Sequence, residues 1–431
     1  MKAKLGYKLA NWRFGKKIEI PEKWKVVSLG ESCVKIQDSD HSMPKKIQKG
    51  IPFLSISHIV DKSEIDFSET EFVSEEYYKK FIKKVDPTKN DLLYSRVATI
   101  GEARLIRENK KFAFTYNVVL IRSTKSVYPE FLLYQLNNPL IKNYVKFLAP
   151  SSAYAFLGLS DIKKILIIIP PTIEEQKKIT DILSNVDKAI QNVNELIEQT
   201  LLLKKGIMKK LLTKGINHIK FKNEKWYFRK KIEIPNDWQI KSLSQIGKII
   251  GGGTPDSIID EYWNGEISWA IPSDLTNLDG NYISKTAKNI SKKGLEKSSA
   301  KLLSKGTILI TSRATIGECA INTVEMTTNQ GFQNLICNKQ NNALFMFYAI
   351  QFHKNQLFML ANGTTFLEIS NSNMKKVRIF TPDLPEQKEI ALILSNIDSK
   401  IEKLQIKQLN LELLKKGLIQ KLLIGEMRVK F

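Results

Sequence analysis

Cysteine is scarce in this sequence. Its three residues, Cys33, Cys319 and Cys337, are odd in number, far apart and without CxxC spacing. That excludes a disulfide framework or a zinc site and points to a reducing cytoplasm. The four histidines are scattered and form no HExxH or other ligand pattern, so no metal is expected. Apolar runs such as "ILIIIPP" (165–171) are far too short for a bilayer span, which needs about 20 residues. The opening "MKAKLGYKLANW" has no apolar stretch of signal-peptide length. No Walker A phrase occurs, and the glycines of "GGGTP" (251–255) lack GxGxxG spacing, so no cofactor is expected. Acidic residues are outnumbered, 44 Asp and Glu against 67 Lys and Arg, for a formal charge of +23. A field of that sign attracts polyanions, of which nucleic acid is the commonest.

The 431 residues, 42% hydrophobic and 26% charged, describe an ordinary globular chain with room for two to four domains. Self-comparison is the most informative operation on it. "KKIEIPEKWKVVSL" (16–29) returns as "KKIEIPNDWQIKSL" (230–243), an offset of 214. "IPFLSISHI" (51–59) pairs loosely with "ISWAIPSDL" (267–275), and "ATIGE" (98–102) with "ATIGE" (314–318), both at 216. "EEQKKITDILSNVDKAI" (174–190) matches "PEQKEIALILSNIDSKI" (385–401), and "LKKGIMKKLL" (203–212) matches "LKKGLIQKLL" (414–423), both at 211. The offset drifts in the first part of each repeat and is constant in the last forty residues. Insertions are tolerated in one part and forbidden in the other.

Residues 16–169 and 230–381 mix short β-like runs, Gly/Pro/Asn punctuation and a few helical stretches, which reads as α+β (mixed α/β) globular domains. The expected division is a first domain at 1–169, a helical region at 170–220, a second domain at 221–381 and a second helical region at 382–431. In the helical regions Ile179, Ile182, Val186, Ile190 and Val193 step by 3, 4, 4, 3, as do Ile390, Ile393, Ile397, Ile401 and Leu404. That is the narrow seam of a coiled coil. About 38 residues at 1.5 Å each make roughly 57 Å, too long to cover one small domain, so the two helices are expected to pair. "HIKF" (218–221) is echoed by "RVKF" (428–431), and "NWRFGKKIEIP" by "KWYFRKKIEIP" (225–235), so the repeat reads as a circle cut once. Pseudo-twofold symmetry and antiparallel helices follow as expectations, with a globular domain at each end of a rod.

A basic, pseudo-twofold molecule of this kind suits a bipartite DNA site, since half-sites on one face of B-DNA recur about every 34 Å. The phrases "GGGTP", "EYWNGEISW" (261–269), "GTILITSRATIGECAI" (306–321), "TTNQGFQNLI" (327–336), "PPTIEEQKKI" (170–179) and "LPEQKEI" (384–390), in this order and in duplicate, make the chain resemble the specificity subunit of type I restriction–modification systems. The resemblance covers the whole chain, although the first domain lacks GGTP and YW and should read a different half-site. It implies a non-catalytic subunit with two target-recognition domains and the helices as spacer. Double-stranded DNA, two methyltransferase subunits and restriction (translocase–nuclease) subunits are the implied partners. Adenine methylation, ATP use and cleavage would belong to those partners, in keeping with the absence of an NPPY-like phrase. A repeat-built RNA or single-strand binder would need stacking aromatics on strands, and no such phrase occurs. A scaffold without a DNA role leaves the charge unexplained.

Base readout draws on polar side chains in exposed loops. The candidates in the second domain are Thr254, Ser273, Asp274, Arg313, Thr315, Asn329 and Gln330; alignment gives Ser57, His58, Arg96, Thr99, Tyr116 and Asn117 in the first. Asn329 and Gln330, before Gly331, have a second reading as turn formers. Trp263 and Trp269 read as base-stacking or as core, whereas Trp24 and Trp238 are assigned to the fold. The one-residue slip between "SRVATIGEA" (95–103) and "SRATIGECA" (312–320) sends Arg96 and Arg313 to opposite faces unless a bulge absorbs it. Glu175, Gln176, Glu386 and Gln387 are expected to cap or orient the helix starts. "PDLPEQK" (382–388) imitates a nuclease motif, but Asp383, Glu386 and Lys388 lie at a helix start, where acidic residues already suit the dipole. The basic helix ends (Lys204, Lys205, Lys209, Lys210; Lys415, Lys416, Lys421) read as DNA-backbone contacts, partner contacts or a solvated face.

Overall fold

The computed structural model describes residues 3–60, 64–148, 156–226, 231–363 and 367–429. The chain forms two compact units, residues 1–192 with 408–431 and residues 193–407. Each unit contains one globular domain and a stretch of each of two long helices.

In the first unit, strands Cys33–Asp38 (β1), Leu92–Ser95 (β2), Ala103–Leu105 (β3) and Val118–Ser123 (β4) form an antiparallel sheet in the order β1-β4-β2-β3. The segments "LLYS" and "VVLI" are apolar on both faces because both faces are covered. Leu92, Tyr94, Val119 and Ile121 pack with Leu132 and Leu136 of the helix Pro129–Asn137. Their alternates Leu93, Val118 and Leu120 pack with Phe53, Phe81 and Phe114. Phe53 and Phe114 come from a small sheet in which Ile51–Leu54 lies between Glu71–Val73 and Ala113–Phe114.

The second unit repeats this plan. Strands Gly247–Gly251 (β5), Tyr282–Ile283 (β6), Ile308–Ile310 (β7), Cys319–Asn322 (β8) and Gln333–Cys337 (β9) are ordered β5-β9-β7-β8-β6. Ile308 and Ile310 face the helix Ala343–Phe352, while Leu309 faces a cluster with Ala270, Met326 and Phe332. The accompanying small sheet sets Trp263–Ala270 between Lys288–Ile290 and Met326–Thr328. Each domain is closed by the strand that leads into its long helix: Leu166–Ile169 pairs with Lys25–Ser28, and Arg378–Thr381 with Gln239–Ser242. Trp24 and Trp238 are fully buried, as the sequence predicts.

The long helices are Ile173–Lys214 (α1) and Leu384–Leu422 (α2). Thr172 and Asp383 cap them: Thr172 Oγ1 accepts from the Glu175 amide (3.2 Å) and Asp383 Oδ1 from the Glu386 amide (3.0 Å). The aspartate of the nuclease-like phrase is thus an N-cap, for which threonine substitutes in the first repeat. Gln176 and Gln387, fully buried, fasten each helix start to its domain. Gln176 Oε1 accepts from Tyr128 N (2.7 Å), and Gln387 Oε1 accepts from Asn342 N (2.8 Å).

Within each unit the two helices run antiparallel. In the first, Ile179 and Leu183 of α1 cluster with Leu422 and Leu423 at and just beyond the end of α2, and further along Asp187 pairs with Lys415 at 2.6 Å. In the second, Leu211 and Leu212 of α1 cluster with Ile390 and Leu394 of α2, and Lys204 pairs with Asp398 at 2.5 Å. The offset of 211 that relates the helix phrases also relates Asp187 to Asp398 and Lys204 to Lys415. Each aspartate takes a further hydrogen bond from its own domain, from the Tyr134 hydroxyl (2.6 Å) and the Tyr348 hydroxyl (2.6 Å), while Asn281 adds a third partner to Asp398 (2.7 Å). Burial first, then the neighbouring carboxylate, raises both phenol pKa values, which keeps the hydroxyls as donors.

Of the seam positions, Ile179, Val193, Ile390 and Ile401 are buried, and Val186, Ile190, Ile393, Ile397 and Leu404 are half-buried. Ile182 is 38% exposed, while Leu183 beside it is fully buried, as is its equivalent Leu394. The seam is wider than the 3–4 spacing predicts because these helix ends bury a second face against their own domain.

Candidate nucleic-acid interface

The repeated "ATIGE" phrase is a turn held in the same way twice. Ser95 Oγ donates to the Thr99 carbonyl (2.7 Å) and accepts from Glu102 N (2.8 Å). Thr311 Oγ1 donates to the Thr315 carbonyl and accepts from Glu318 N (3.0 Å). Ala98 and Ala314 share a left-handed conformation (φ 58° and 55°), as do Gly101 and Gly317 (92° and 84°). The structure therefore equates Ser95 with Thr311, and the next residue, Arg96, with Ser312. Backbone bonds agree: Leu157 N donates to Arg96 O (2.9 Å) and Ile369 N to Ser312 O (3.0 Å). The alignment that made Arg96 and Arg313 counterparts is corrected; Arg313 stands opposite Val97.

No bulge absorbs the slip, and the pleat sends the two arginines to opposite faces. Arg96 is 2% exposed, 2.9 Å from the buried Asp38 carboxylate, with its guanidinium over the Phe156 ring at 4.9 Å. Burial pulls the Arg96 pKa down while Asp38 pulls it back up. Arg313 is 46% exposed and pairs with Glu368 at 2.8 Å.

A second pair of turns follows the small sheets. Thr115 N donates to Leu54 O (3.0 Å) and Asn329 N to Ala270 O (2.9 Å). In the first domain Ser55 N donates to His58 Nδ1 (3.0 Å); in the second Ile271 N donates to Asp274 Oδ2 (2.8 Å). Asp274 Oδ1 also accepts from Ala287 N (3.0 Å). His58 and Asp274 thus bend back onto their own turns, whereas Ser57 and Ser273 are exposed. Thr99 is exposed, and the half-buried Thr315 hydroxyl has no partner among the described residues. Asn329 Oδ1 accepts from Gly331 N (2.9 Å), the turn-forming reading, and the Gly331 carbonyl in turn accepts from Ser312 N (2.7 Å). Asn117 O accepts from Arg96 N (3.2 Å) at the equivalent place.

The remaining candidates meet a residue that the sequence did not single out. Tyr116 stacks on His41, ring centroids 4.8 Å apart and planes 10° from parallel. His41 Nε2 lies 3.3 Å from Asp38 Oδ2, so the stack of exposed His41 on half-buried Tyr116 leans on the buried Arg96–Asp38 pair. In the second domain the Thr254 hydroxyl donates to Gln330 Oε1. Beneath it the chain approaches so closely that a Cβ on Gly252 would fall on the Asn329 carbonyl oxygen. His41 was not legible because only the β1–β4 register brings residue 41 to residue 116; the one local sign is its place in the polar stretch "DSDHS".

The other groups are absorbed by the fold. Trp269 is buried and donates to Gly253 O (2.9 Å), so it is core, and the half-buried Trp263 packs edge-on against it at 5.0 Å. Burial pushes the thiols of Cys33 and Cys337 up to about 12 and that of Cys319 higher, leaving no thiolate nucleophile among them. Among the described residues, one trio has metal-ligand spacing: His218, Asp237 and Glu386. Its carboxylate at Glu386 already accepts from Ile216 N (2.9 Å), Trp238 Nε1 (2.8 Å) and His218. Of the basic helix ends, Lys204 and Lys415 are ion-paired as described above. Among the described residues no helix is long and apolar enough to cross a membrane.

Comparison with known proteins agrees with this twofold plan. Residues 21–201 and 235–411 each match the family described as type I restriction modification DNA specificity domain. A protein of Methanocaldococcus jannaschii named for the MjaX type I restriction enzyme specificity subunit is 30% identical over 435 residues, covering 98% of either chain. The MjaVIII specificity subunit of the same organism is 27% identical, covering 98% of this chain and 97% of its own. The fold is similar to that of the type I restriction–modification S subunit from M. genitalium (TM-score 0.56, 15% identity, 93% and 96% coverage). It is also similar to a chain from a study of complex assembly in a type I system (TM-score 0.59, 17% identity, 95% and 100% coverage). With both of its repeats matched, this chain belongs to the type I restriction–modification DNA specificity family.

Proposed function

We propose that the chain is the non-catalytic DNA-recognition subunit of a cytoplasmic type I restriction–modification complex. It reads a bipartite double-stranded site, one half with residues 1–169 and the other with residues 221–381, using the helical regions 170–220 and 382–431 as spacer. It docks two methyltransferase subunits and, through them, restriction subunits; adenine methylation and cleavage reside in those partners. The observation that carries this reading is a single backbone frame built twice, with different side chains at its exposed positions, and followed each time by a helix held to one constant offset. The charge of +23 supports a polyanionic ligand. Ser57, Tyr116, Thr254, Ser273, Arg313 and Gln330 are the members of the candidate set with side chains best placed to reach DNA. His58, Asp274 and Arg96 act on the turns behind them.

Methylome sequencing of a host expressing this subunit with its methyltransferase tests the proposal. A two-part adenine-methylated motif is expected. A contiguous motif, or no motif from a complex shown to assemble, overturns it. Exchanging residues 231–380 is expected to change one half of the motif only. Four residues added to both helices are expected to widen the gap and leave both halves unchanged.

A further inference from the structure

The His41–Tyr116 and Thr254–Gln330 pairs occupy the same place in the two domains, and their equivalence follows from strand register alone. Asp38 at the end of β1 pairs with Val119 of β4, and Gly251 at the end of β5 pairs with Gln333 of β9. His41 lies three residues beyond Asp38 and Tyr116 three before Val119; Thr254 lies three beyond Gly251 and Gln330 three before Gln333. In both domains the two side chains touch each other. In both, the loop bearing them is held from below by structure that cannot easily yield, a buried ion pair in one domain and a glycine against a carbonyl in the other. His41, Thr254 and Gln330 are exposed, and the His41 side chain keeps 65% of its surface. A rigid support beneath an exposed polar tip is what a sequence-reading contact requires.

We propose that these two pairs are equivalent base-reading positions whose chemical difference helps make the two half-sites different; this rests on the DNA-recognition function proposed above. In the first domain His41 Nε2 lies 3.3 Å from Asp38 Oδ2, and a neutral ring that donates its Nε2–H there presents Nδ1 as an acceptor, with the ring stacked on Tyr116. That arrangement suits a base edge that donates, the N6 amino group of adenine or N4 of cytosine in the major groove. In the second domain Gln330 Oε1 accepts from the Thr254 hydroxyl, which leaves the Nε2 amino group as the donor of that side chain. That suits an accepting edge, N7 of a purine or O6 of guanine.

The test grafts each pair onto the other domain. The double variants His41→Thr with Tyr116→Gln, and Thr254→His with Gln330→Tyr, are expressed with the methyltransferase beside the unchanged protein, and their methylomes are sequenced. Each variant is expected to relax or change at least one base in one half of the motif, a different half for each, with roughly tenfold or greater loss of discrimination there, the range for one base contact. Both halves unchanged at full methylation in both variants overturns the proposal. Should a variant abolish methylation, its assembled complex is titrated with duplexes randomised in one half-site at a time. Discrimination lost in one half supports the proposal, and equal loss in both overturns it. Failure of the unchanged protein to give a two-part motif instead removes the DNA-recognition reading itself, so the two failures are distinguishable.

Discussion

The first domain secures its outermost loop with charge, and the second secures the equivalent loop with glycine. Asp38 and Arg96 form a buried ion pair beneath His41 and Tyr116; at the matching places stand Gly251 and Ser312, and the chain behind Thr254 packs directly on the Asn329 carbonyl. The backbone hydrogen bonds around these residues are nevertheless the same in both, from Leu157 to Arg96 and from Ile369 to Ser312. What the two copies share is the set of hydrogen-bonded positions rather than the residues that fill them. A recognition domain built this way can change its exposed chemistry and its buried support together while the frame stays constant.

The comparison is sharpened most by removing the charge. Arg96→Ala leaves Asp38 buried with the Gln37 amide at 3.3 Å, His41 at 3.3 Å and Lys84 at 3.9 Å but no close guanidinium, and about 3–5 kcal/mol of stability should be lost in denaturant unfolding. Its equivalent Ser312→Ala, where the hydroxyl has no partner among the described residues, should stay within about 1 kcal/mol. The order reverses on the facing strand extension. Gly252→Ala forces a methyl group onto a carbonyl oxygen and should cost about 1–3 kcal/mol, whereas Ser39→Ala at the matching place should be near neutral.

A smaller contrast separates the two helix clamps. Among the described residues, Tyr134→Phe leaves Asp187 with Lys415 as its remaining partner and should cost about 2 kcal/mol; Tyr348→Phe leaves Asp398 with Lys204 and Asn281 and should cost about 1 kcal/mol. The smallest effect at neutral pH belongs to His353, packed against Trp226, Phe352 and Phe380 at a helix end where the first domain has Asn138. Burial holds its pKa at about 3 against an ordinary 6.5. Stability from the neutral ring is therefore complete above pH 6.5 and is lost as pH falls toward 3, because only the unfolded chain takes up the proton. The second unit should weaken first on acidification, and His353→Asn should flatten that limb of a stability–pH curve.

The repeat, the helices and the opposite facing of the two arginines were all legible because each is local: a phrase, a period or a one-residue slip. The turn at "ATIGE" was legible for the same reason, since its glycine and left-handed alanine sit within five residues. The clamp was not, because Tyr134, Asp187 and Lys415 are joined across most of the chain and each alone is an ordinary surface residue type. His58 and Asp274 were legible as polar loop residues but not as turn caps, because the same side chain serves either use. The seam was placed one residue away from Leu183, since a spacing rule for two helices does not include a third surface.

Asp187 and Lys204 both lie on α1, and Asp398 and Lys415 both lie on α2, each pair 17 residues apart. Either helix alone therefore carries both halves of the lock. A chain with one domain and one such helix is complementary to its own copy, and two of them related by a twofold axis would close both ion pairs isologously. Joined in one chain, the two halves keep that fit as an obligation on the helices only, and each domain is released to drift toward its own target.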